Sequence, residues 1–262
     1  MSLRGSEMPY LEHNGTRVYY EVRGEGEPIL LLPGFTEDVH DLEGLISELE
    51  HSYRVIAADL PGSGQSEPIP RHYSPDFYAE DAHTMAALLR HLGIEKAHVA
   101  GFSDGGEVAL LLAVHYPDMM RSLIEWGAAG TLGAGDVAPV LDAIYNVVDD
   151  PIAGLRGWSD YIKQQYDEEA GRATTQSWAD ASKAILASGG DISLSRAREI
   201  RCPALLISGE YDPFATPDMT RDLASRIPNS TYHIVPGAGH TVHHDRPEWF
   251  TQTVLEFLKR ET

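Results

Sequence analysis

Cysteine is almost absent from the sequence. Cys202 is the single cysteine in 262 residues, so no disulfide can form within the chain. No apolar run approaches the roughly 20 residues that a membrane helix needs. The N-terminus also lacks the succession of a charged, an apolar and a small-residue stretch that marks a secretory signal. We therefore expect a soluble, cytoplasmic protein whose residues 1–7 form a flexible leader.

Basic residues are scarce relative to acidic ones. The chain has 20 Lys and Arg against 40 Asp and Glu, a formal net charge of −20. This charge repels nucleic-acid phosphates and anionic lipid surfaces, so we expect neither nucleic acid nor a membrane as a partner. Two explanations of the acidity remain open: solubility or adaptation to salt, and steering of a charged substrate.

Short apolar runs alternate with amphipathic stretches along most of the chain. Residues 10–26 surround Asn14-Gly15, a dipeptide typical of a tight hairpin turn. Helical spacing of apolar residues follows most of the runs, for example at 39–49, 76–92 and 247–260. This alternation predicts a doubly wound, mostly parallel sheet. The predicted strands of that sheet are 28–32, 53–58, 97–102, 122–126, 204–208 and 231–235.

The alternation stops between residues 130 and 198. Strand-like runs vanish there, and aromatic residues lie among polar helical segments. Such a segment is either a lid over a site or surface elaboration, and its aromatic content favours the lid. We predict a core of residues 8–129 and 199–262 with a helical cap inserted at 130–198.

Ser103 lies at the centre of Gly-Phe-Ser-Asp-Gly at 101–105, which matches the nucleophile pattern G-x-S-x-G. In this pattern small neighbours allow a tight strand-to-helix turn that exposes the serine. A strand is predicted before it and a helix rich in Ala, Leu and Val after it. We therefore predict Ser103 as a nucleophile. The structural alternative is a glycine-rich turn with a capping serine.

A serine hydroxyl becomes a nucleophile when a base takes its proton and a third group orients that base. With this motif the chain order is serine, acid, histidine. Asp212 follows the predicted strand 204–208, and His240 ends the turn after the next strand. Both positions lie at the carboxyl edge of the sheet, where such sites form. We predict His240 as the base and Asp212 as the orienting acid.

Two alternatives compete with these assignments. Glu210 lies closer to the end of its strand, although the Asp212-Pro213 step resembles the usual acid turn and favours Asp212. His243 and His244 follow His240 closely enough to suggest a metal cluster. Zinc would also need a carboxylate or thiolate at a matching spacing, and none is evident. We therefore expect no metal.

A tetrahedral intermediate needs hydrogen-bond donors aimed at its negatively charged oxygen. The backbone N–H of Asp104, directly after the nucleophile, is the first candidate. The second is the N–H of Phe35, in the Pro-Gly-Phe-Thr loop at 33–36 that follows the first parallel strand. A plain strand-exit turn is the alternative reading of that loop.

Over nearly all of 10–258 the chain resembles the α/β-hydrolase superfamily. Within it the sequence is most similar to the biphenyl-hydrolase-like proteins, the valacyclovir hydrolases. Four segments carry this likeness: Leu-Pro-Gly at 32–34, Gly-Phe-Ser-Asp-Gly-Gly at 101–106, Trp-Gly-Ala at 126–128 and Cys-Pro at 202–203. The resemblance implies an α/β-hydrolase fold: a mostly parallel sheet with an N-terminal antiparallel hairpin and a helical cap.

Asp104 departs from the apolar residue that many relatives place after the serine. The helix dipole stabilises an aspartate in a first turn, which is a sufficient structural explanation. The resemblance implies instead that its carboxylate binds a cation, such as the α-amino group of an amino-acid ester.

The expected function is hydrolysis of a small carboxylic ester through an acyl-enzyme, without a cofactor. A lactonase, a carbon–carbon bond hydrolase and an acyltransferase are alternatives on the same three residues. A non-catalytic, ligand-binding member of the fold is a further alternative, because fold alone does not determine function.

Overall fold

A computed structural model of the chain describes residues 9–133 and 137–261. The predicted leader at 1–7 lies outside these residues. A sheet of eight strands forms the centre of the molecule. In chain order the strands are β1 (Tyr10–His13), β2 (Thr16–Arg23), β3 (Glu27–Leu32), β4 (Tyr53–Ala58), β5 (Ala97–Phe102), β6 (Met120–Trp126), β7 (Ala204–Gly209) and β8 (Ser230–Val235).

The strands are arranged in the order β1-β2-β4-β3-β5-β6-β7-β8. β1 and β2 form an antiparallel hairpin through Asn14-Gly15, where both residues have positive φ, 48° and 82°. β2 also pairs antiparallel with β4, and all the following pairs are parallel. The predicted mostly parallel sheet with an N-terminal antiparallel hairpin is therefore confirmed.

Side chains of the central strands alternate between two apolar layers. In β3, Leu30 and Leu32 enter the core on one face, and Ile29 and Leu31 enter the core on the other. All four side chains are fully buried. Because both faces are covered, these strands are continuously apolar rather than alternately polar.

Helices cover both faces of the sheet. α2 (Phe77–His91), α3 (Asp104–His115) and α7 (Pro217–Arg226) pack on the face that holds Leu30. α1 (Glu43–Leu49), α8 (Val242–Asp245) and α9 (Pro247–Arg260) contribute to the opposite face. This arrangement confirms the doubly wound α/β architecture. No helix among the described residues is long and apolar enough to cross a membrane.

The segment predicted as one helix at 39–49 forms two elements. Val39–Leu42 is a 3₁₀ turn, and α1 follows it directly. Asp38 is the reason for the early start: its side chain accepts the His40 N–H at 2.7 Å, and Asp41 accepts the Asp38 N–H at 2.9 Å. This reciprocal capping fixes the first turn before the α-helix begins.

An insertion of helices separates β6 from β7, as predicted. Its described residues form α4 (Ala138–Tyr145), α5 (Arg156–Gln165) and α6 (Glu168–Ala187), hereafter the cap helices. The two ends of the insertion meet at Gly130, whose carbonyl accepts the N–H groups of residues 192, 193 and 194 at 2.8–2.9 Å. The exact limits of the cap, 130–198, stay a prediction.

Candidate active site

Ser103 occupies the turn between β5 and α3. Its φ of 51° and ψ of −116° are sparsely populated by residues other than glycine, so the turn is strained. The Ser103 N–H donates to the Trp126 carbonyl at 2.9 Å. A Cβ at Gly101 would overlap the carbonyl oxygen of Gly105. These glycines therefore allow strand and helix to meet tightly enough to expose the serine.

The structure brings Ser103, His240 and Asp212 together. Ser103 Oγ lies 3.0 Å from His240 Nε2. On the other side of the ring, His240 Nδ1 lies 2.9 Å and 3.0 Å from the two Asp212 oxygens. The three side chains thus form one continuous hydrogen-bonded chain.

The Asp212 carboxylate is held rigidly by its own loop. Its Oδ1 accepts the backbone N–H groups of Phe214 at 2.8 Å and Ala215 at 3.0 Å. The alternative acid, Glu210, is exposed and instead accepts the Gly237 N–H at 2.9 Å. Asp212 is therefore the acid that contacts His240, and Glu210 is bound elsewhere.

The predicted oxyanion donors are the backbone N–H groups of Phe35 and Asp104. Phe35 and Asp104 both line the same cavity as Ser103. Among the described residues, neither backbone N–H donates a hydrogen bond to another group. A Cβ at Gly105 would overlap the carbonyl of Leu32, so the start of α3 packs directly against the end of β3. The oxyanion role of both amides stays a prediction.

A cavity of about 310 Å³ opens over Ser103. This volume suits a small ligand. Three carboxyl side chains lie in its wall, those of Glu37, Asp104 and Glu107, and no Lys or Arg is present among its described lining residues. The insertion supplies a largely apolar side that includes Leu132, Val137, Val140, Leu141, Ile144 and Leu155.

Asp104 is buried and bonded through both oxygens. Tyr78 donates its hydroxyl to Oδ1 at 2.8 Å, and Trp178 of α6 donates its indole N–H to Oδ2 at 2.7 Å. Burial raises the pKa of Asp104 to about 6. Both partners are neutral, so no described cation pairs with the charge of this carboxylate.

Glu37 and Glu107 are cavity residues that the sequence analysis missed. Glu107 Oε1 accepts the N–H groups of Ala129 at 3.0 Å and Gly130 at 2.9 Å. Burial raises the pKa of Glu107 to about 7 and that of Glu37 to about 8. Glu107 is the one polar residue in α3 between its first residue, Asp104, and its last, His115, which was a usable signal. No local pattern distinguished Glu37.

Of the two histidines that follow His240, His243 belongs to the core and His244 is exposed. His243 accepts the indole N–H of Trp126 at its Nδ1, 2.9 Å away. Burial lowers the pKa of His243 to about 3, so this ring is neutral near pH 7. In the described part of the chain, no three or more His, Cys, Asp or Glu side chains are placed to hold a metal ion.

A second set of a serine, a histidine and an acid lies at the amino ends of the central strands, away from the carboxyl ends that carry Ser103. Ser122 Oγ is 2.8 Å from His98 Nδ1, and His98 Nε2 is 3.4 Å from Glu27. Ser122 and His98 are fully buried at the amino ends of β6 and β5. This set has the same residue types as the one at Ser103, but its serine is not accessible to solvent.

Comparisons with known proteins agree with this architecture. Residues 29–253 match the Alpha/beta hydrolase family. Human serine hydrolase BPHL is 27% identical over 257 residues, which cover 94% of this chain and 84% of that protein. A 2-hydroxy-6-oxononadienedioate/2-hydroxy-6-oxononatrienedioate hydrolase of Burkholderia vietnamiensis is 29% identical over 269 residues, covering 93% of this chain and 91% of that one.

A solved structure gives the same result. The enol-lactonase of Burkholderia xenovorans superposes with a TM-score of 0.75 at 25% identity, over 96% of this chain and all of that one. The predicted resemblance to the superfamily and to biphenyl-hydrolase-like proteins is confirmed by these matches. The chain belongs to the alpha/beta hydrolase family.

Proposed function

We propose that this protein is a serine hydrolase that cleaves carboxylic esters through an acyl-enzyme. The observation that carries the proposal is the hydrogen-bonded chain from Ser103 through His240 to Asp212, of which Ser103 and His240 line the cavity. A serine whose hydroxyl contacts a histidine that is itself oriented by a carboxylate is the arrangement used for acyl transfer.

In the proposed first step, Ser103 Oγ attacks the ester carbonyl carbon while its proton passes to His240 Nε2. Asp212 keeps the Nδ1 proton in place and stabilises the charged ring. The N–H groups of Phe35 and Asp104 donate to the oxygen that becomes negative. The C–O bond then breaks, and the leaving alcohol takes the proton from His240.

In the second step, water attacks the acyl-Ser103 carbonyl. His240 accepts a proton from this water and returns it to Ser103 Oγ as the acid leaves. The same two N–H groups stabilise the second tetrahedral intermediate. The enzyme returns to its starting state without a cofactor.

The charge of the cavity supports a neutral or cationic acyl group. Near pH 7, Asp104 with its pKa of about 6 is mostly ionised, whereas Glu107 and Glu37, with pKa values of about 7 and 8, are partly and mostly protonated. No described Lys or Arg in the wall offsets this negative charge. A dicarboxylate, such as the dioate in the name of the Burkholderia vietnamiensis relative, would meet like charge here. We therefore favour ester hydrolysis over cleavage of an acidic carbon–carbon bond substrate.

Asp104 is the proposed binding group for a substrate amine. Its buried carboxylate carries a charge that only neutral donors contact, and a buried charge gains from a cationic partner. Its position directly after Ser103 suits a cationic group close to the reacting carbonyl. An α-amino-acid ester has this chemistry.

Asp104→Asn is expected to remove a preference for α-amino esters over their des-amino analogues. A charge-assisted hydrogen bond contributes about 1.5–3 kcal/mol, so the wild-type ratio of kcat/KM should be about 10- to 100-fold. In the variant the ratio should approach one. Steady-state kinetics on the paired esters measures both values.

The pH dependence of this ratio gives a second measure. As pH falls through about 6, Asp104 takes up a proton and the wild-type ratio should fall. Above roughly pH 8 the substrate amine loses its proton, and the ratio should fall again. Any effect of pH that is common to the two esters cancels in the ratio. Asp142→Asn is the control: it removes an exposed charge from α4 and should leave the ratio unchanged. Equal ratios in wild type and Asp104→Asn would contradict the proposal that Asp104 binds the substrate amine.

A substrate panel tests the reaction itself. p-Nitrophenyl esters of graded length and amino-acid methyl esters should be hydrolysed to acid and alcohol. A lactone and a vinylogous 1,5-diketone dioate should react at least about 100-fold more slowly, which equals a barrier difference of about 2.7 kcal/mol. Faster turnover of the lactone or the dioate, with products identified by mass spectrometry, would replace the ester proposal with one of these alternatives.

A further inference from the structure

The loop that carries Phe35 has a strained turn. The Glu37 N–H donates to the Gly34 carbonyl at 3.2 Å, which closes a four-residue turn over 34–37. Thr36, its third residue, has a φ of 65°. Glycine is the usual residue at that position of such a turn. A β-branched side chain there costs of order 1–3 kcal/mol and persists only where its surroundings hold it.

Trp158 of the cap helix α5 holds this residue. Its indole N–H donates to Thr36 Oγ1 at 2.8 Å, and the same hydroxyl donates to the Phe35 carbonyl at 2.6 Å. An indole N–H can only donate, so the hydroxyl proton is free for the carbonyl. Thr36 is 1% exposed, so its hydroxyl is shielded from bulk solvent. The Trp158 ring also meets the Phe35 ring edge-on, with centroids 5.9 Å apart, and Tyr166 donates its hydroxyl to the Thr36 carbonyl at 3.4 Å. The Thr36 hydroxyl is the group that links the Trp158 N–H to the Phe35 carbonyl.

Trp178 of α6 fixes the other side of the same loop. Its ring stacks on the Phe35 ring with centroids 4.7 Å apart and planes at 19°. The same indole donates its N–H to Asp104 at 2.7 Å. One cap tryptophan therefore contacts both residues whose backbone amides form the proposed oxyanion hole.

From these contacts we infer that Trp158 is a positioning residue for the oxyanion hole, acting through the Thr36 hydroxyl on Phe35. The inference rests on the proposed function. When the indole N–H is lost, the strained turn relaxes by rotation of the 35–36 peptide, and the backbone of Phe35 shifts. Since the donor must meet an oxygen at about 2.7–3.1 Å, a small shift weakens transition-state binding more than ground-state binding.

Trp158→Phe should lower kcat for a p-nitrophenyl ester about 10- to 100-fold, with KM changed less than about 3-fold. Thr36→Val keeps the volume and the strain but removes the hydroxyl, so the same loss is expected. Both substitutions break the same hydrogen bond, from the Trp158 indole to the Thr36 hydroxyl, so the double variant should be no slower than either single variant. Thr36→Val also tests the link if Trp158→Phe does not fold.

Repeating the substitution in the Thr36→Gly protein distinguishes a positioning role of Trp158 from a general contribution to stability. In Thr36→Gly the turn reaches its positive φ without strain, so adding Trp158→Phe should lower kcat less than about 3-fold. A merely structural role for Trp158 would give the same factor in both backgrounds. Thermal unfolding of every variant, followed by circular dichroism, shows which proteins are folded.

Tyr161→Phe is the matched control on the same helix. Tyr161 donates its hydroxyl to Asp41 at 2.6 Å, a bond between cap and core that does not involve Phe35 or Thr36. This variant should keep kcat within about 3-fold of wild type. An equal loss in Tyr161→Phe and Trp158→Phe would overturn the inference and leave only a general role of the cap.

A trifluoromethyl ketone distinguishes this inference from the proposed function. The ketone forms a hemiketal with the serine whose oxyanion needs the same donors, so its affinity should fall in parallel with kcat in Trp158→Phe. Unchanged affinity in that variant, with wild type active on esters, would overturn the positioning role alone. A wild-type protein that hydrolyses no ester and binds no ketone would overturn the proposed function as well.

Discussion

Ser103→Ala is expected to lower kcat for ester hydrolysis by a factor on the order of 10⁴ to 10⁶, with the fold preserved. The loss follows because the Ser103 hydroxyl is the only group in the proposed mechanism that forms the acyl-enzyme. The backbone bond from Ser103 N–H to Trp126 remains in the variant. Alanine also accepts the positive φ about as well as serine. Initial rates on p-nitrophenyl esters and a thermal unfolding curve measure the two properties.

Ser122→Ala is the matched control for this prediction. Ser122 also contacts a histidine, His98, but both side chains are fully buried at the far edge of the sheet. Its loss should leave kcat within about 3-fold of wild type and lower stability by about 1 kcal/mol through one hydrogen bond. A fluorophosphonate should label wild type and Ser122→Ala at Ser103. Substantial turnover or labelling in Ser103→Ala would show that the nucleophile is another residue.

Asp212→Asn should lower kcat on the order of 10⁴-fold. The amides of Phe214 and Ala215 hold the oxygen at Oδ1, so the new amide NH₂ takes the position of Oδ2 and faces His240 Nδ1. A donor at that position competes with Oδ1, 3.0 Å from Nδ1, and favours the tautomer in which Nδ1 accepts and the ring proton lies on Nε2. His240 can then no longer take the proton of Ser103.

Glu210→Gln tests the competing acid. Its side chain is exposed and binds the Gly237 N–H, a bond that glutamine preserves. We expect kcat within about 3-fold of wild type. Initial rates for both variants on one ester, over pH 5–9, decide between the two acids. A large loss in Glu210→Gln with normal turnover in Asp212→Asn would reverse the assignment.

Much of the fold followed from local pattern. β4, β5 and α9 have the predicted limits of 53–58, 97–102 and 247–260, because apolar period and flanking Gly or Pro act within a few residues. Other limits shifted by a residue or two. β6 begins at Met120 rather than residue 122, because pairing with β5 extends the ladder through a register shift at Ala97 and His98. This pairing depends on the neighbouring strand, so the sequence of β6 alone does not show where the strand begins.

The three side chains of the candidate site could also be singled out from sequence. Ser103, Asp212 and His240 each follow a strand of one parallel sheet, so their carboxyl ends meet at one edge. The expected order of serine, acid and histidine along the chain then left few possible combinations of these three residue types. The structure places these three residues in hydrogen-bond contact across 137 and 28 positions of sequence.

Sequence alone determined where the candidate site lies, at the strand-to-helix turn of Ser103 and the two loops that face it, and it determined the excess of negative charge. The tertiary structure alone decided what surrounds that chemistry. The bond from Trp178 to Asp104 spans 74 positions, and that from Trp158 to Thr36 spans 122. Turn and strand patterns arise from neighbouring residues, whereas these bonds depend on how the cap helices pack over the sheet. No local pattern encodes that packing.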